Sequence, residues 1–238
     1  MFSIASIFGI SNTKSTTKNQ GLTQYITSVY DCMTVGLAVT FIVAIISKYS
    51  TLSLAIMTSP LGIVVSLAPI GISLYMSGTF HRSSSEKVMK LFLIYSAVMG
   101  LSLSTIFSIF RSVDIIKALL STTIMFGTMS IYGHTTQKDL SKFGSIATMM
   151  ILGILISSLI NLFLRSPAFD FLLSFMSVIL FTGLVAYDTQ KIKTMYYQFN
   201  GQGDMSKKIA IFAAMQLYID FIAIFVHLLR FFGARRND

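Results

Sequence analysis

Residues 209–229 read IAIFAAMQLYIDFIAIFVHLL, an apolar run with one charged side chain, Asp220, near its middle. A bilayer core of about 30 Å is crossed by about 20 helical residues, so this run is long enough to span a membrane. Apolar segments in lipid form helices, because a helix pairs its backbone groups within one segment. The run therefore predicts a transmembrane helix that carries an acid.

Six further runs of this kind precede it, at about 25–48, 48–81, 91–110, 118–136, 143–164 and 171–187. Only 11% of the residues are charged, whereas soluble domains have about a quarter. The runs do not alternate with the period of two that barrel strands require. The sequence predicts an all-α membrane protein with seven transmembrane helices in a domain at 25–232, between a polar tail at 1–24 and a short tail at 233–238.

The net charge of +9 comes from lysines and arginines that flank the apolar runs. This placement indicates membrane orientation rather than nucleic-acid binding. With the N-terminus inside, inside segments hold eleven of these bases and outside segments hold seven. The positive-inside rule then predicts a cytoplasmic N-terminus. The lone Cys32 forms no internal disulfide and no metal site, and we expect no cofactor.

The second span contains Pro69 in its middle and begins near Ser59-Pro60. Ser before Pro is typical of a helix start, with Ser as the N-cap and Pro in the first turn. Proline in mid-span removes one backbone hydrogen bond and predicts a kink. Such a span is either a packing accommodation or a moving part, and Pro69 is our candidate hinge.

Two acids, Asp188 and Asp220, fall within long apolar surroundings, and acids inside membrane spans are candidates for function. Gln216, Asp220 and His227 lie on one face of the seventh span, by steps of four and seven residues. That polar stripe belongs against other helices or water, which places this span near the centre of a bundle.

Asp188 lies on a face of the sixth span that also includes Ser174, Ser177, Phe181 and Leu184. Small hydroxyl residues on this face permit close helix approach. Consecutive spans with inward acids predict that the two carboxyl groups come together and share one proton. Such a pair senses pH and can bind a hard cation such as calcium, transiently, through its oxygens. We expect the residues that neighbour the pair, or that line a pore beside it, to include Gln216, His227 and Ser177.

Simpler structural roles stay open for these residues. Asp188 precedes Lys191 by three residues, so the two side chains can form an interfacial ion pair. His227 near the end of its span is expected to be a hydrogen-bonded histidine that faces the outer surface.

Three motifs resemble the Bax inhibitor-1 family: GTMSIYGHTTQKDL at 127–140, AYDTQKI at 186–192 and LYIDFI at 217–222. Weaker similarity at GLSLS (100–104) and LINLF (159–163) extends the resemblance to residues 20–232. The resemblance implies six helices around a central seventh and a pH-dependent calcium leak gated by the aspartates at 188 and 220. One difference is that residues 49–80 contain no Arg or Lys, whereas bacterial family members have a second-span Arg that pairs with the aspartates.

The resemblance also implies a multi-pass protein of the bacterial inner membrane, although eukaryotic members lie in the endoplasmic reticulum or Golgi. It leaves open a non-conducting regulator that binds another membrane complex, such as a membrane protease. Paired intramembrane aspartates also occur in aspartyl proteases, but these need Gly-x-Gly-Asp and this chain has LYID at 217–220. We therefore expect calcium as a transported ion, and we expect no enzyme.

Overall fold

The computed structural model describes residues 17–50, 59–198 and 203–233. Within these residues the chain forms seven long helices and a 3-10 turn at Phe80–Arg82. The helices are α1 (Thr17–Tyr49), α2 (Leu61–Thr79), α3 (Ser85–Ile109), α4 (Ser112–Thr135), α5 (Ser141–Leu164), α6 (Pro167–Gln198) and α7 (Gly203–Phe232). Seven candidate membrane spans follow from their length and hydropathy. The prediction of an all-α membrane protein with seven spans is confirmed.

Several helix ends differ from the predicted limits of the spans. Helix α1 begins at Thr17, so the last part of the tail predicted at 1–24 is helical, while residues 1–16 lie outside the described residues. Helix α6 does not end at Tyr187 but continues to Gln198. A charged residue ends an apolar run but does not end a helix, because backbone hydrogen bonding continues past it. Of the predicted tail at 233–238, only Gly233 is described.

Helix α2 begins one residue later than the Ser-Pro pair predicts. Pro60 occupies the N-cap position and provides no side-chain cap, and the first turn is closed by the backbone bond from Gly62 N to Ser59 O at 3.1 Å. Ser59 is therefore not the N-cap. Pro69 lies buried inside a helix that is continuous from Leu61 to Thr79. Its role as a hinge stays a prediction.

The connection between α5 and α6 shows why one helix ends and the next begins. Arg165 adopts a left-handed conformation with φ of 49°, and its N–H bonds to Asn161 O at 2.8 Å. Ser166 Oγ accepts the N–H of Phe169 at 3.3 Å and caps α6. Pro167 follows in the first turn of α6, where its missing N–H costs no hydrogen bond.

The chain divides into two compact units, each of which takes part of α6 and α7. The first comprises Met1–Ser108 and Ile192–Met215. In it, a Cβ added to Gly36 would meet the Phe92 ring, and Thr40 Oγ1 donates to Ser96 O at 2.8 Å. Small and hydroxyl residues thus let α1 and α3 pack closely.

The first unit also contains a buried lysine that the sequence assigns to a loop. Lys208 lies in the first turns of α7 with its ammonium 3.8 Å from Asp204 Oδ2 and 5.7 Å from the Phe80 ring centroid. Asp204 Oδ1 accepts the N–H of Ser85 at 3.2 Å. Residues 199–202, which precede α7, lie outside the described residues, and Gly203 at the start of the helix has φ of +81°, which favours glycine.

The second unit comprises Ile109–Lys191 and Gln216–Asp238. Its apolar core includes Ala147 of α5 and Leu180 and Leu184 of α6. Helix α7 is the most enclosed of the seven spans: 72% of its most apolar stretch is buried, against 6% to 39% for the other six. This burial agrees with the polar stripe predicted on α7, while the packing of six helices around it stays a prediction.

Candidate functional site

Helices α6 and α7 contact each other within the second unit, and residue numbers on α6 fall as those on α7 rise. This is the pattern of an antiparallel pair. Three contacts define it: the carboxyl groups of Asp188 and Asp220, the stacked rings of Phe181 and His227, and the stacked rings of Phe171 and Phe231. The first two contacts are seven residues apart on both helices, so they share one interface.

The structure brings the two predicted acids together. Asp188 and Asp220 are 8% and 4% exposed, and their carboxyl groups lie within hydrogen-bonding reach of each other. Among the described residues, Asp220 Oδ2 has no hydrogen-bond partner. An ionised carboxylate is only an acceptor, so a hydrogen bond between two carboxyl groups requires a proton on one of them. Such a bond is compatible with one shared proton and excludes only the pair in which both groups are ionised.

Lys191 is close enough to act electrostatically on the Asp188 carboxyl group. Its ammonium, however, lies 5.7 Å from the centroid of the Tyr187 ring, one residue before Asp188. The hydrogen-bond partner of Asp188 is the other acid. The interfacial ion pair that the sequence left open is therefore not what orients Asp188.

The three predicted neighbours of the pair lie at different depths. Gln216 is half-buried on α7, one helical turn before Asp220. His227 is two turns beyond it, about 10 Å along the axis. Ser177 is fully buried on α6, but it lies about 16 Å along the axis from Asp188, and its hydroxyl donates to Leu173 O at 2.7 Å. Gln216 is thus the nearest of the three along the chain, and roles as pore residues stay predictions.

His227 differs from the hydrogen-bonded outer-surface histidine that we expected. Its ring stacks on Phe181 with centroids 6.4 Å apart, and Nδ1 is buried without a hydrogen-bond partner among the described residues. An ion pair lies at the surface instead, where α6 begins and α7 ends. It joins Arg230 and Asp170, which are 3.7 Å apart and about half exposed. Packing against α6 turns the imidazole inward.

Sequence reasoning missed the residues that hold α6 beside Asp188. Gln190 Nε2 donates to Lys138 O at 2.8 Å, and its Oε1 accepts the N–H of Leu140 at 2.9 Å. Gly133 of α4 lies against the backbone of Ala186, where an added Cβ would clash. The only sequence signal was that these residues fall within the two quoted motifs at 127–140 and 186–192.

Gly144 of α5 also contacts α6 beside Asp188. An added Cβ at Gly144 would clash with the ring of Tyr187. Helix α4, helix α5 and their connection therefore all contact α6 within two residues of Asp188.

The pair offers few ligands for a bound metal. Within the residues that the structure describes, no group of three or more His, Cys, Asp or Glu side chains converges. Calcium takes six to eight oxygen ligands in a resident site. The two carboxyl groups by themselves provide fewer ligands than this number.

A family model described as "Inhibitor of apoptosis-promoting Bax1" matches residues 22–237. The chain belongs to this family, the Bax inhibitor-1 family, as its three motifs indicate.

Similar proteins come from several bacteria. The uncharacterized protein RP147 of Rickettsia prowazekii is 38% identical over 226 residues, which cover 94% of this chain and 95% of that protein. The inner membrane protein YbhL of Escherichia coli (strain K12) is 38% identical, over 91% of this chain and 94% of YbhL. An uncharacterized protein of Borreliella burgdorferi is 37% identical, over 90% and 94%. The alignments cover nearly the full length of both partners.

Proposed function

We propose that this protein is a passive calcium leak channel whose conduction is controlled by protonation of Asp188 and Asp220. The observation that carries the proposal is the burial of two carboxyl groups, within hydrogen-bonding reach of each other, on consecutive membrane helices. The name of YbhL as an inner membrane protein supports placing this chain in a bacterial inner membrane. A cytoplasmic N-terminus is proposed from the distribution of the lysines and arginines alone.

The proposed gate uses the charge of the pair. With one proton, the carboxyl groups bond to each other and hold α6 against α7. Loss of that proton leaves two anions, which at about 4 Å repel by about 4 kcal/mol at an effective dielectric constant of about 20. This energy shifts a two-state equilibrium about a thousandfold. The separated carboxylates then present oxygen ligands to a hard cation.

Two further parts of the proposal concern α2 and the chemistry of the pair. Pro69 is the proposed hinge of α2, supported by its position inside a continuous helix. The pair is proposed to gate rather than to catalyse, because LYID at 217–220 lacks the Gly-x-Gly-Asp pattern of aspartyl proteases.

The test is calcium flux into proteoliposomes that contain a calcium-sensitive dye. The wild type is expected to conduct more as pH rises, and Asp188→Asn and Asp220→Asn are each expected to abolish this pH dependence. Asp31→Asn is the matched control, because Asp31 is an exposed acid within α1. If both Asn variants at the pair leave flux and its pH dependence unchanged, the gating role is wrong.

Absence of flux from the wild type would contradict the channel itself. Capture of a membrane protease by the purified protein would then support the regulator that the family resemblance left open. Cleavage of a transmembrane peptide, abolished by either Asn variant, would instead assign the pair to catalysis.

A further inference from the structure

We propose that Gln190 is a positioning residue for Asp188: by binding the α4–α5 connection with both ends of its amide, it keeps the Asp188 carboxyl group against α7. The connection comprises residues 136–140. The inference rests on the proposed function of the pair, and it adds a residue and a helical hairpin that control it.

On α6, the residues that contact α4 and the connection lie on the side of the helix opposite Asp188. Ala186 and Gln190 are four residues apart and share one face of the helix. Asp188 lies midway between them, about 160° around the helix at about 100° per residue. The contacts at Ala186 and Gln190 therefore hold the side of α6 that faces away from Asp188. A support on that side keeps the carboxyl group directed at Asp220.

The α4–α5 connection that binds Gln190 is ordered by hydrogen bonds of its own. In the connection, Thr136 Oγ1 accepts the N–H of Lys138 at 3.3 Å, and Asp139 Oδ1 accepts the N–H of Ser141 at 2.9 Å. The hydrogen bonds from Ser141 hold the pKa of Asp139 below its usual range. A segment with its own hydrogen bonds loses less freedom on binding Gln190 than a flexible loop would.

Gln190 uses both the hydrogen-bond donor and the hydrogen-bond acceptor of its amide. It donates to one backbone carbonyl and accepts from one backbone N–H, at 2.8 and 2.9 Å. A carboxylate cannot donate and a lysine cannot accept, whereas the Gln190 amide does both.

Charged side chains near the connection come from the connection itself and from α5. Lys138 and Asp139 of the connection and Lys142 of α5 are exposed, and Lys142 acts electrostatically on Asp139. On α6, Lys191 acts electrostatically on Asp188, and on α7 the charged group that faces Asp188 is Asp220. Gln190 adds no charge of its own, so it acts on the pair through position.

The experiment compares Gln190→Met with Gln190→Asn in the full-length protein. Met has a similar length but no amide, whereas Asn keeps the amide on a shorter arm that cannot reach both partners. Gln137→Met is the matched control, because Gln137 is an exposed glutamine in the same connection. Unchanged elution and thermal unfolding in detergent establish that each variant is folded.

The first readout is hydrogen exchange at the Leu140 amide. Loss of the bond to Gln190 is expected to speed exchange about tenfold in both Gln190 variants. The second is the infrared C=O band of the protonated carboxyl pair, identified by its loss in Asp188→Asn and Asp220→Asn. This band is expected to shift in both Gln190 variants and to stay in place in Gln137→Met.

The third readout is the ratio of calcium flux at alkaline pH to flux at acidic pH, which is expected to fall at least about threefold. Unchanged exchange at Leu140, or faster exchange with an unchanged infrared band, would overturn the positioning role. A shifted band without flux in any protein would support positioning and contradict the channel. An unshifted band with pH-gated flux would support the channel and contradict positioning.

Discussion

A hydrogen bond between the carboxyl groups of Asp188 and Asp220 requires a proton on at least one of them. Both side chains are buried, and within the described residues Asp220 Oδ2 has no hydrogen-bond partner. A buried carboxylate without partners is costly, whereas a protonated pair satisfies one acceptor and one donor. We therefore expect the pair to stay together while it holds a proton and to separate when both carboxyl groups are ionised.

His227 lies on the same face of α7 as Asp220, but the proposed gate does not depend on protonation of His227. Replacing His227 with Phe keeps a ring on Phe181 and removes the buried Nδ1. We expect the free energy of unfolding to stay unchanged or rise by about 1 kcal/mol, because an unpaired buried polar atom is removed. The pH dependence of calcium flux should also stay unchanged.

Unfolding in detergent micelles measures the first effect, with His81→Phe as the control. His81 is exposed beside the Phe80 ring, so its change should stay within about 0.5 kcal/mol. A loss of more than about 2 kcal/mol in His227→Phe, or a flat pH response, would assign His227 a partner or a role in sensing.

Helical spacing in the sequence predicted which residues share a face of a helix. That information was enough to predict that the two acids lie close together. Steps of three, four and seven residues placed Asp220 and Asp188 on inward faces, and the structure brings their carboxyl groups together. The same spacing cannot identify Gln190, whose partner Lys138 is 52 residues away in the chain. Such a contact depends on where the α4–α5 connection docks, which no local pattern encodes.

At the scale of helices, the apolar runs predicted the number of spans better than their ends. Hydropathy reports which residues tolerate lipid, so the sixth run appeared to end at Tyr187. Helix α6 continues to Gln198 because its backbone hydrogen bonds do not depend on apolar side chains. That continuation places Gln190 and Lys191 on the same rigid helix as Asp188.

Gly133 sets the distance between α4 and α6. Gly133→Ala would place a Cβ against the backbone of Ala186, which cannot move without the helix. We expect a loss of about 1–3 kcal/mol in unfolding free energy and a weaker pH dependence of flux. Gly127→Ala is the control on the same helix, since its added Cβ meets nothing within 4 Å. Equal stability of the two variants would contradict this close packing.

Gly144 makes the corresponding contact between α5 and α6. Gly144→Ala would press on the Tyr187 ring, a side chain that can shift more easily than a backbone. The expected loss of unfolding free energy is therefore smaller than for Gly133→Ala. Gly153→Ala on α5 is the control, because its added Cβ has open space around it. A larger loss of unfolding free energy in Gly144→Ala than in Gly133→Ala would contradict the expectation that the Tyr187 ring shifts more easily than the Ala186 backbone.

For the whole molecule, the distribution of basic residues predicts a cytoplasmic N-terminus. In intact bacteria, a membrane-impermeant maleimide should label Arg165→Cys, in the connection between α5 and α6, and should not label Lys90→Cys near the start of α3. Both positions are exposed, and the native Cys32 is buried and is expected to stay unreactive. Labelling of Lys90→Cys alone would establish the opposite orientation.

The most direct test of the account is a double-mutant cycle on the pH dependence of calcium flux. Asp188→Asn, Asp220→Asn and the double variant are compared with the wild type in the same proteoliposomes. If the two carboxyl groups share one proton, each single replacement removes the whole pH response and the double variant loses no more. If the single replacements each remove part of the response and their effects add, the two acids titrate independently, and the shared-proton gate is contradicted.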